Sequence, residues 1–531
     1  MTEQGSNRIA DSRTSLGIEL GSTRIKAVLV DQTGQVIASG AHNWTNQLVD
    51  EVWSYRLEDV WDGVAESFAL LADDYRVHQH RELCEIGAIG VSAMMHGYLA
   101  FDEDDQLLVP FRTWRNTTTQ QASEELSELF GVNIPQRWSI AHLHQAILAG
   151  EDHVPRVRFL TTLAGYVHWQ LTGRKVLGVG DASGMFPLNA EGTGFDEQKL
   201  AAYDALIADR GLGWKVSELL PEVLPAGRKA GTLSAEGVSL LDPLGTLHPG
   251  AVACPPEGDA GTGMVATNSV RPRTGNVSAG TSVFAMVVLE HPLSKMHSQI
   301  DLVATPSGEH VAMVHVNNCT SDLNDWVGLF GELLGAVGAT RSSDELYATL
   351  FERALAGDPD CGGLLSYNYL SGEHSVGVDQ GRPLFVRGPA SSFTLANFMR
   401  LQLSSAFATL RLGMDVLLRD EGVALDAMFA QGGIFRTKAV AQRILAAALD
   451  SPVSVGSNAG EGGAWGMALL ASYALSGATE PLADHLDALF AGSQVTTVRA
   501  EPDEVEGFAR FIERYRAGLP IERSAAANFT W

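Results

Sequence analysis

Apolar positions recur along this chain with two periods, one near two residues and one near three and a half, and they divide it into short strands and longer helices. Leu16-Gly17-Ile18-Glu19-Leu20 alternates as a strand, Gly21-Ser22-Thr23 supplies a turn, and residues 25–30 read as the returning strand. The turn signal Asp31-Gln32-Thr33-Gly34 then leads to a third strand at Val36-Ile37-Ala38, which completes a β-meander. Residues 56–75 place Leu57, Val60, Trp61, Val64, Phe68 and Leu71 at helical spacing. A buried strand at residues 86–91 runs into Ser92-Ala93-Met94-Met95-His96-Gly97. A strand pair around Tyr98-Leu99-Ala100-Phe101 is turned by Asp102-Glu103-Asp104-Asp105, and helical patterns occupy residues 123–130, 139–148 and 160–171.

The meander has a counterpart later in the chain. Residues 255–286 place Asp259 among small residues, then continue into a strand, the turn Ser278-Ala279-Gly280-Thr281-Ser282 and another strand. A long amphipathic helix follows at 397–418, then a strand at 427–430 ending in Gln431-Gly432-Gly433 and a helix at 437–449. Gly460-Glu461-Gly462-Gly463 opens an Ala-rich helix to residue 475, and helical patterns at 482–490 and 505–517 finish the chain. Strands interleaved with helices make this an α/β protein, and the two similar hairpins suggest two domains of related plan around a cleft. The expected organisation is a frayed start over 1–15, domains at 16–268 and 269–478, and a helical extension at 479–531.

Several of these turns carry candidate chemistry. A tight Gly/Ser/Thr bend between strands can direct backbone N–H groups and hydroxyls at phosphate oxygens. An acid just upstream, here Asp259, could serve as base for a phosphoryl acceptor, although an isolated Asp-Ala-Gly also reads as ordinary loop chemistry. His96 leaves a strand end into a Gly-bounded loop, where α/β folds place ligand groups, while a lone histidine is more often a structural one. Residues 110–118, with Arg112, Trp114, Arg115 and Asn116, set hydrogen-bonding side chains beside an aromatic, which suits a sugar or simply an anchored polar loop.

Composition narrows the partners. At 531 residues, with 45% apolar and 19% charged, the chain is an ordinary globular one of more than one domain. A net charge of −26 argues against nucleic acid and anionic membrane surfaces as partners. Cys84, Cys254, Cys319 and Cys361 form no C-x-x-C pair, so reduced thiols in a cytoplasmic protein are expected, without a zinc site. The polar first residues lack a signal-peptide core, and no apolar run approaches the roughly 20 residues of a membrane helix.

Taken together the segments resemble the FGGY family of carbohydrate kinases over roughly residues 16–474. Gly17-Ile18-Glu19-Leu20-Gly21-Ser22-Thr23-Arg24-Ile25-Lys26 is similar to the first phosphate motif and Ser278-Ala279-Gly280-Thr281-Ser282 to the second. Ala430-Gln431-Gly432-Gly433 resembles the adenosine motif, and Glu461-Gly462-Gly463-Ala464 the connecting helix. Met94-Met95-His96-Gly97, Leu171-Thr172-Gly173 and Asp181-Ala182-Ser183-Gly184 look most like the xylulokinase branch. The resemblance implies two actin-like (ribonuclease H-like) domains around a nucleotide and sugar cleft. It also implies Asp259 as catalytic base, Gly21, Ser22, Thr23, Lys26, Gly280 and Thr281 at the phosphates, and Gly432, Gly433 and Thr437 at adenosine. Met95, His96, Trp114 and Asn116 would meet the ketose, and Glu19 through water, with Asp259, would stand beside Mg2+. Two departures stand out: the first motif ordinarily opens with Asp rather than Glu19, and the sugar loop ordinarily reads Trp-Asn-Asp rather than Trp114-Arg115-Asn116.

The expected reaction is therefore transfer of the γ-phosphate of ATP to a small ketose, a pentulose such as xylulose first, with ribulose, fuculose or a glycerol-like polyol as alternatives. A homodimer is among the compatible assemblies. Two readings of other classes remain at this point: a non-catalytic ATP- or sugar-binding regulator, separable by sugar-dependent ADP release, and a chaperone- or actin-like ATPase, which would hydrolyse ATP without sugar.

Overall fold

A computed structural model gives the structure of the protein, with residues 12–243, 245–456 and 462–529 described. The strands Ser15–Leu20, Arg24–Val30 and Val36–Asn43 pair antiparallel in chain order, as the alternation predicts. Beyond Ser15–Leu20 the strand Ala88–Ala93 joins in parallel, and the short strands Val252–Ala253 and Glu257–Gly258 both lie parallel to it. Parallel neighbours need a crossover, which the helix Leu57–Gln79 provides by packing on the strands Arg24–Val30 and Val36–Asn43.

The register of these strands builds the site. Leu20 lies opposite Ala93, and Ala93 opposite Gly258. Gly21, Met94 and Asp259 therefore all leave the sheet at one edge, the carboxyl ends of parallel strands where α/β folds bind ligands. One face of the sheet is covered by the helix Gly462–Leu475, whose residues from Gly463 to Ala474 are all buried. Its approach requires glycine: a Cβ on Gly17 would sit 2.1 Å from the Ala464 carbonyl oxygen and 2.4 Å from the Ala468 nitrogen.

In the second half Thr274–Ala279 and Val283–Val288 form the expected antiparallel hairpin. Ala427–Gln431 runs parallel beside Thr274–Ala279, Val453–Gly456 parallel beside that, and Val495–Val498 closes the edge antiparallel. The long helix Leu395–Asp415 is buried over nearly its whole length. Among the described residues no helix is long and apolar enough to cross a membrane.

By contacts the chain forms two compact units, one of Met1–Arg271, Leu302–Val311 and Glu461–Gly492, the other of Pro272–Asp301, Ala312–Gly460 and Ser493–Trp531. This differs from linear boundaries at 268 and 478. Gly462–Leu475 belongs with the first sheet because of its backbone-close packing at Gly17. The helical tail is divided: Leu482–Phe490 stays with the first unit, Phe490 packing 5.3 Å from Trp465, and Pro502–Asn528 joins the second, Tyr515 lying 4.6 Å from Tyr367. Of the start expected to fray, residues 1–11 lie outside the described residues, and Ser15 is already in a strand.

Two local expectations change. Leu99–Phe101 pairs with Phe159–Thr161 rather than with a strand beyond the 102–105 turn, across which only the bridges Tyr98–Arg112 and Phe101–Leu107 form. Because residues 159–161 are spent in that strand, the helix expected from 160 starts at Leu163, with the Thr162 hydroxyl accepting the Gly165 N–H as its cap.

Candidate active site

Asp259 lies not in a loop before a strand but at the first position of the helix Asp259–Ala266, after an extended Gly258 at φ −78° and ψ 154°. The Ala-Gly-Thr-Gly run has weak helix propensity. Its value is thinness, because a Cβ on Gly466 would stand 2.1 Å from the Thr262 carbonyl oxygen, so the two helices touch backbone to backbone. Asp259 is half-buried, and its Oδ1 accepts the Met95 N–H at 3.2 Å. Burial pushes its pKa up to about 6, while bonds from the N–H groups of Met95, Ala260 and its own residue pull it down. A carboxyl so poised is ionised at neutral pH yet more basic than an ordinary aspartate.

Glu19 lies opposite Lys26 across the meander and opposite Ser92 on the parallel side. Its carboxylate accepts the Ala464 N–H at 3.2 Å, and a Cβ on Gly463 would meet Oε1 at 2.2 Å. The extra methylene relative to aspartate therefore spans the distance to the first turn of the Gly462–Leu475 helix. Burial first, then the charge of Asp259, raise its pKa to about 7, with the Ala464 bond and Lys26 opposing. Glu461, the acidic member of the connecting-helix motif, lies with Gly460 outside the described residues.

Two further buried carboxylates lie near Asp259: Glu257, two residues before it, and Asp181, whose nearness is not evident in the sequence. Glu257 is 1% exposed and accepts the N–H groups of Gly180 at 3.3 Å and Asp181 at 3.0 Å. Gly178 and Gly180 make room for it, since a Cβ on either would come within 2.4 Å of its carboxylate oxygens. Asp181 is fully buried; one oxygen accepts the Thr162 hydroxyl at 2.5 Å, and Oδ1 has no partner among the described residues. Burial, then the Asp181 charge, push Glu257 up to about 8, and burial with the Asp259 charge raises Asp181 to about 7 against the Thr162 bond. The sequence signals are an acid two residues before Asp259 and the paired glycines at 178 and 180.

Of the residues expected at the ketose, the structure brings Met95 to Asp259, with His96 next to it in the chain. A Cβ on Gly258 would collide with Met95 Cγ at 2.2 Å, which locates the Met95 side chain beside the start of the Asp259 helix. His96 takes a left-handed φ of 71°, bonds the Gly184 carbonyl through Nδ1 at 3.1 Å and stacks on Trp138 at 6.4 Å. Asn116 is different. It is 4% exposed, and its amide accepts the Trp53 N–H at 2.8 Å and donates to the carbonyls of Trp53 at 2.9 Å and Thr113 at 3.0 Å. Those bonds consume the side chain as a backbone clamp rather than leaving it to face a ligand. Trp114 is half-buried against the core of the first unit.

The phosphate-type turns are formed in each unit separately. In the first, Gly21, Ser22 and Thr23 make the bend, closed by the Gly21 N–H to Arg24 carbonyl bond at 3.0 Å, with half-buried Lys26 on the returning strand. In the second, Gly280 and Thr281 are exposed at the hairpin tip. Gly432, at φ 121°, abuts that hairpin so closely that a Cβ would lie 1.9 Å from the Ala279 carbonyl oxygen. Exposed Gly433 starts the short 3-10 turn Gly433–Phe435, and Thr437 is half-buried, the helix expected from it beginning at Val440. The unit thus brings Gly280, Thr281, Gly432 and Gly433 together.

Among the described residues no group of three His, Cys, Asp or Glu side chains could hold a metal alone. Mg2+ usually needs only one or two carboxylates when waters and phosphate oxygens complete its shell. Glu19 and Asp259, whose mutual repulsion helps raise Glu19, fit that mode.

The whole chain has known relatives. A xylulose kinase from Haemophilus influenzae is 21% identical over 430 residues, covering 79% of this chain and 82% of its own length. The crystal structure of a xylulose kinase from Rhodospirillum rubrum superposes with a TM-score of 0.77 at 20% identity, covering 97% of this chain and 100% of that one. That of a gluconate kinase from Lactobacillus acidophilus gives 0.78 at 18% identity, covering 97% and 99%. These likenesses identify the fold as two actin-like α/β domains. Residues 14–241 match the N-terminal domain of the FGGY family of carbohydrate kinases and residues 275–475 its C-terminal domain; the chain belongs to that family and is a carbohydrate kinase.

Proposed function

We propose that this kinase transfers the γ-phosphoryl group of ATP to a hydroxyl of a small neutral ketose, a pentulose such as xylulose first. The observation that carries the reading is Asp259, a half-buried carboxyl with a pKa near 6 at a helix start beside Met95, with His96 next in the chain. Asp259 accepts the proton of the attacking hydroxyl, and a base of this strength is mostly ionised at neutral pH. Gly21, Ser22, Thr23 and Lys26 of the first unit, and Gly280 and Thr281 of the second, are the proposed phosphate contacts; Gly432, Gly433 and Thr437 are those for adenosine. Glu19, through water, and Asp259 are the residues that would hold Mg2+, which would supply charge neutralisation on the phosphates.

The acidic surroundings of Asp259 support a neutral acceptor. Gluconate, the substrate named for one relative, is an anion, and it would enter beside the mostly ionised Asp259 and the partly ionised Glu19 and Asp181, whose negative charge disfavours it. The test is a coupled ADP-release assay over pentuloses, hexuloses, polyols and gluconate. Pentulose-dependent release with little from gluconate is expected. A preference for gluconate, or release that needs no sugar, overturns the reading.

A further inference from the structure

The first phosphate-type turn is held from behind by two aromatic residues. Trp44 donates its indole N–H to the Gly21 carbonyl at 2.7 Å and its backbone N–H to the Thr23 carbonyl at 3.1 Å. The Tyr55 hydroxyl donates to the carbonyl between them, Ser22, at 2.6 Å. All three carbonyls of the bend are therefore taken, which fixes the orientation of its peptide groups. The two rings stack at 4.2 Å and are 6% and 3% exposed.

Between Trp44 and Tyr55 the chain makes a small hairpin, Gln47–Val49 against Val52–Ser54. Its two-residue bend, Asp50 at φ 49° and Glu51 at φ 65°, uses left-handed conformations without glycine. A lone two-stranded hairpin is marginal in water and depends on its anchors. The second anchor is the 113–116 loop. Asn116 grips both polar groups of the Trp53 backbone, the Thr113 N–H donates to the same Trp53 carbonyl at 3.1 Å, and the Arg115 guanidinium lies 4.2 Å over the Trp53 ring. Arg115 also donates to Asn46 at 3.2 Å. One line thus runs from Asn116 by hydrogen bonds to Trp53, along the chain through Ser54 to Tyr55, and by a hydrogen bond to Ser22.

We propose that residues 44–55 form a strap coupling the 113–116 loop to the first phosphate turn, with Asn116, Tyr55 and Trp44 as positioning residues for the nucleotide phosphates. This rests on the kinase reading of that turn. It gives the altered loop sequence a role: an amide, able to donate and accept at once, matches a peptide unit on both edges, which a carboxylate cannot.

The test compares Tyr55→Phe, which keeps the stacked ring, Asn116→Asp, which keeps shape but cannot donate, and the double variant, all in the full-length chain. Each single change is expected to raise KM for ATP by roughly threefold to tenfold, the weight of one hydrogen bond, with KM for the sugar within about twofold. Because both act through one strap, the double variant should fall short of the product of the two effects. A rise in sugar KM alone for Asn116→Asp, or a multiplicative double variant, overturns the strap. Calorimetric titration of ATP without sugar separates the two proposals. A parent that binds ATP alongside variants that bind equally well overturns the strap alone, whereas a parent that neither binds ATP nor releases ADP overturns the kinase reading with it.

Discussion

Asp181→Asn should make the protein more resistant to unfolding, and increasingly so as pH rises. The parent side chain is fully buried, with one oxygen bonded to Thr162 and the other unpartnered among the described residues. Its pKa is raised from an ordinary 3.8 to about 7, by burial first and by the charge of Asp259 last, against the Thr162 bond. A carboxyl raised in the folded state binds more protons there than in the unfolded chain. Its contribution to stability is thus intact below the ordinary value and is lost as pH climbs through the folded one. Taking 3.8 and about 7, the loss is about 1.7 kcal/mol at about pH 5 and about 4 kcal/mol at about pH 8. The amide variant has no such slope. Seating an amide there carries its own cost of about 1–3 kcal/mol if a donor goes unpaired, but that cost does not depend on pH. The gap between variant and parent should therefore move in the variant's favour by about 2–3 kcal/mol between those two pH values. Urea unfolding followed by tryptophan fluorescence measures it, since most of the ten tryptophans lie in the first unit. Curves that stay parallel across pH would refute the reasoning, because Asp181 would then ionise as an ordinary aspartate.

Two other substitutions probe the rest of the machinery. Gly432→Ala forces a side chain into a φ of 121° and to 1.9 Å from the Ala279 carbonyl oxygen, so ATP affinity by calorimetry should fall by about tenfold or more. Glu19→Gln keeps an acceptor for the Ala464 N–H but removes the charge beside Asp259. The Mg2+ concentration for half-maximal rate should then rise by roughly tenfold to a hundredfold with no loss of stability at neutral pH, because the substitution also removes a buried carboxyl whose pKa is raised to about 7.

Much of the frame could be read from residue pattern. The meander at 15–43 and the strand leading to His96 were visible because buried strands between turn signals are local features. The second hairpin and the Gly432-Gly433 turn were visible for the same reason. What escaped was decided by tertiary packing. The helix at Asp259 forms from a poor helix-forming run because its small residues fit the Gly462–Leu475 helix. The nearness of Glu257 and Asp181, 76 positions apart, depends on a short strand pairing parallel to Ala88–Ala93. Asn116 stood in the expected loop, yet its amide turned to the Trp53 backbone, a partner 63 positions away that no local pattern marks. The assignment of residues 159–161 to a strand likewise followed from pairing with Leu99–Phe101.

The central claim is that Asp259 takes the proton from the sugar hydroxyl. Asp259→Asn is nearly isosteric and retains an oxygen to accept the Met95 N–H, so the helix start need not move. Sugar-dependent ADP release under saturating ATP is the direct measurement. The account predicts turnover lower by about a hundredfold to ten-thousandfold, with ATP affinity within a few-fold of the parent. A variant that turns over sugar at the parental rate would contradict it.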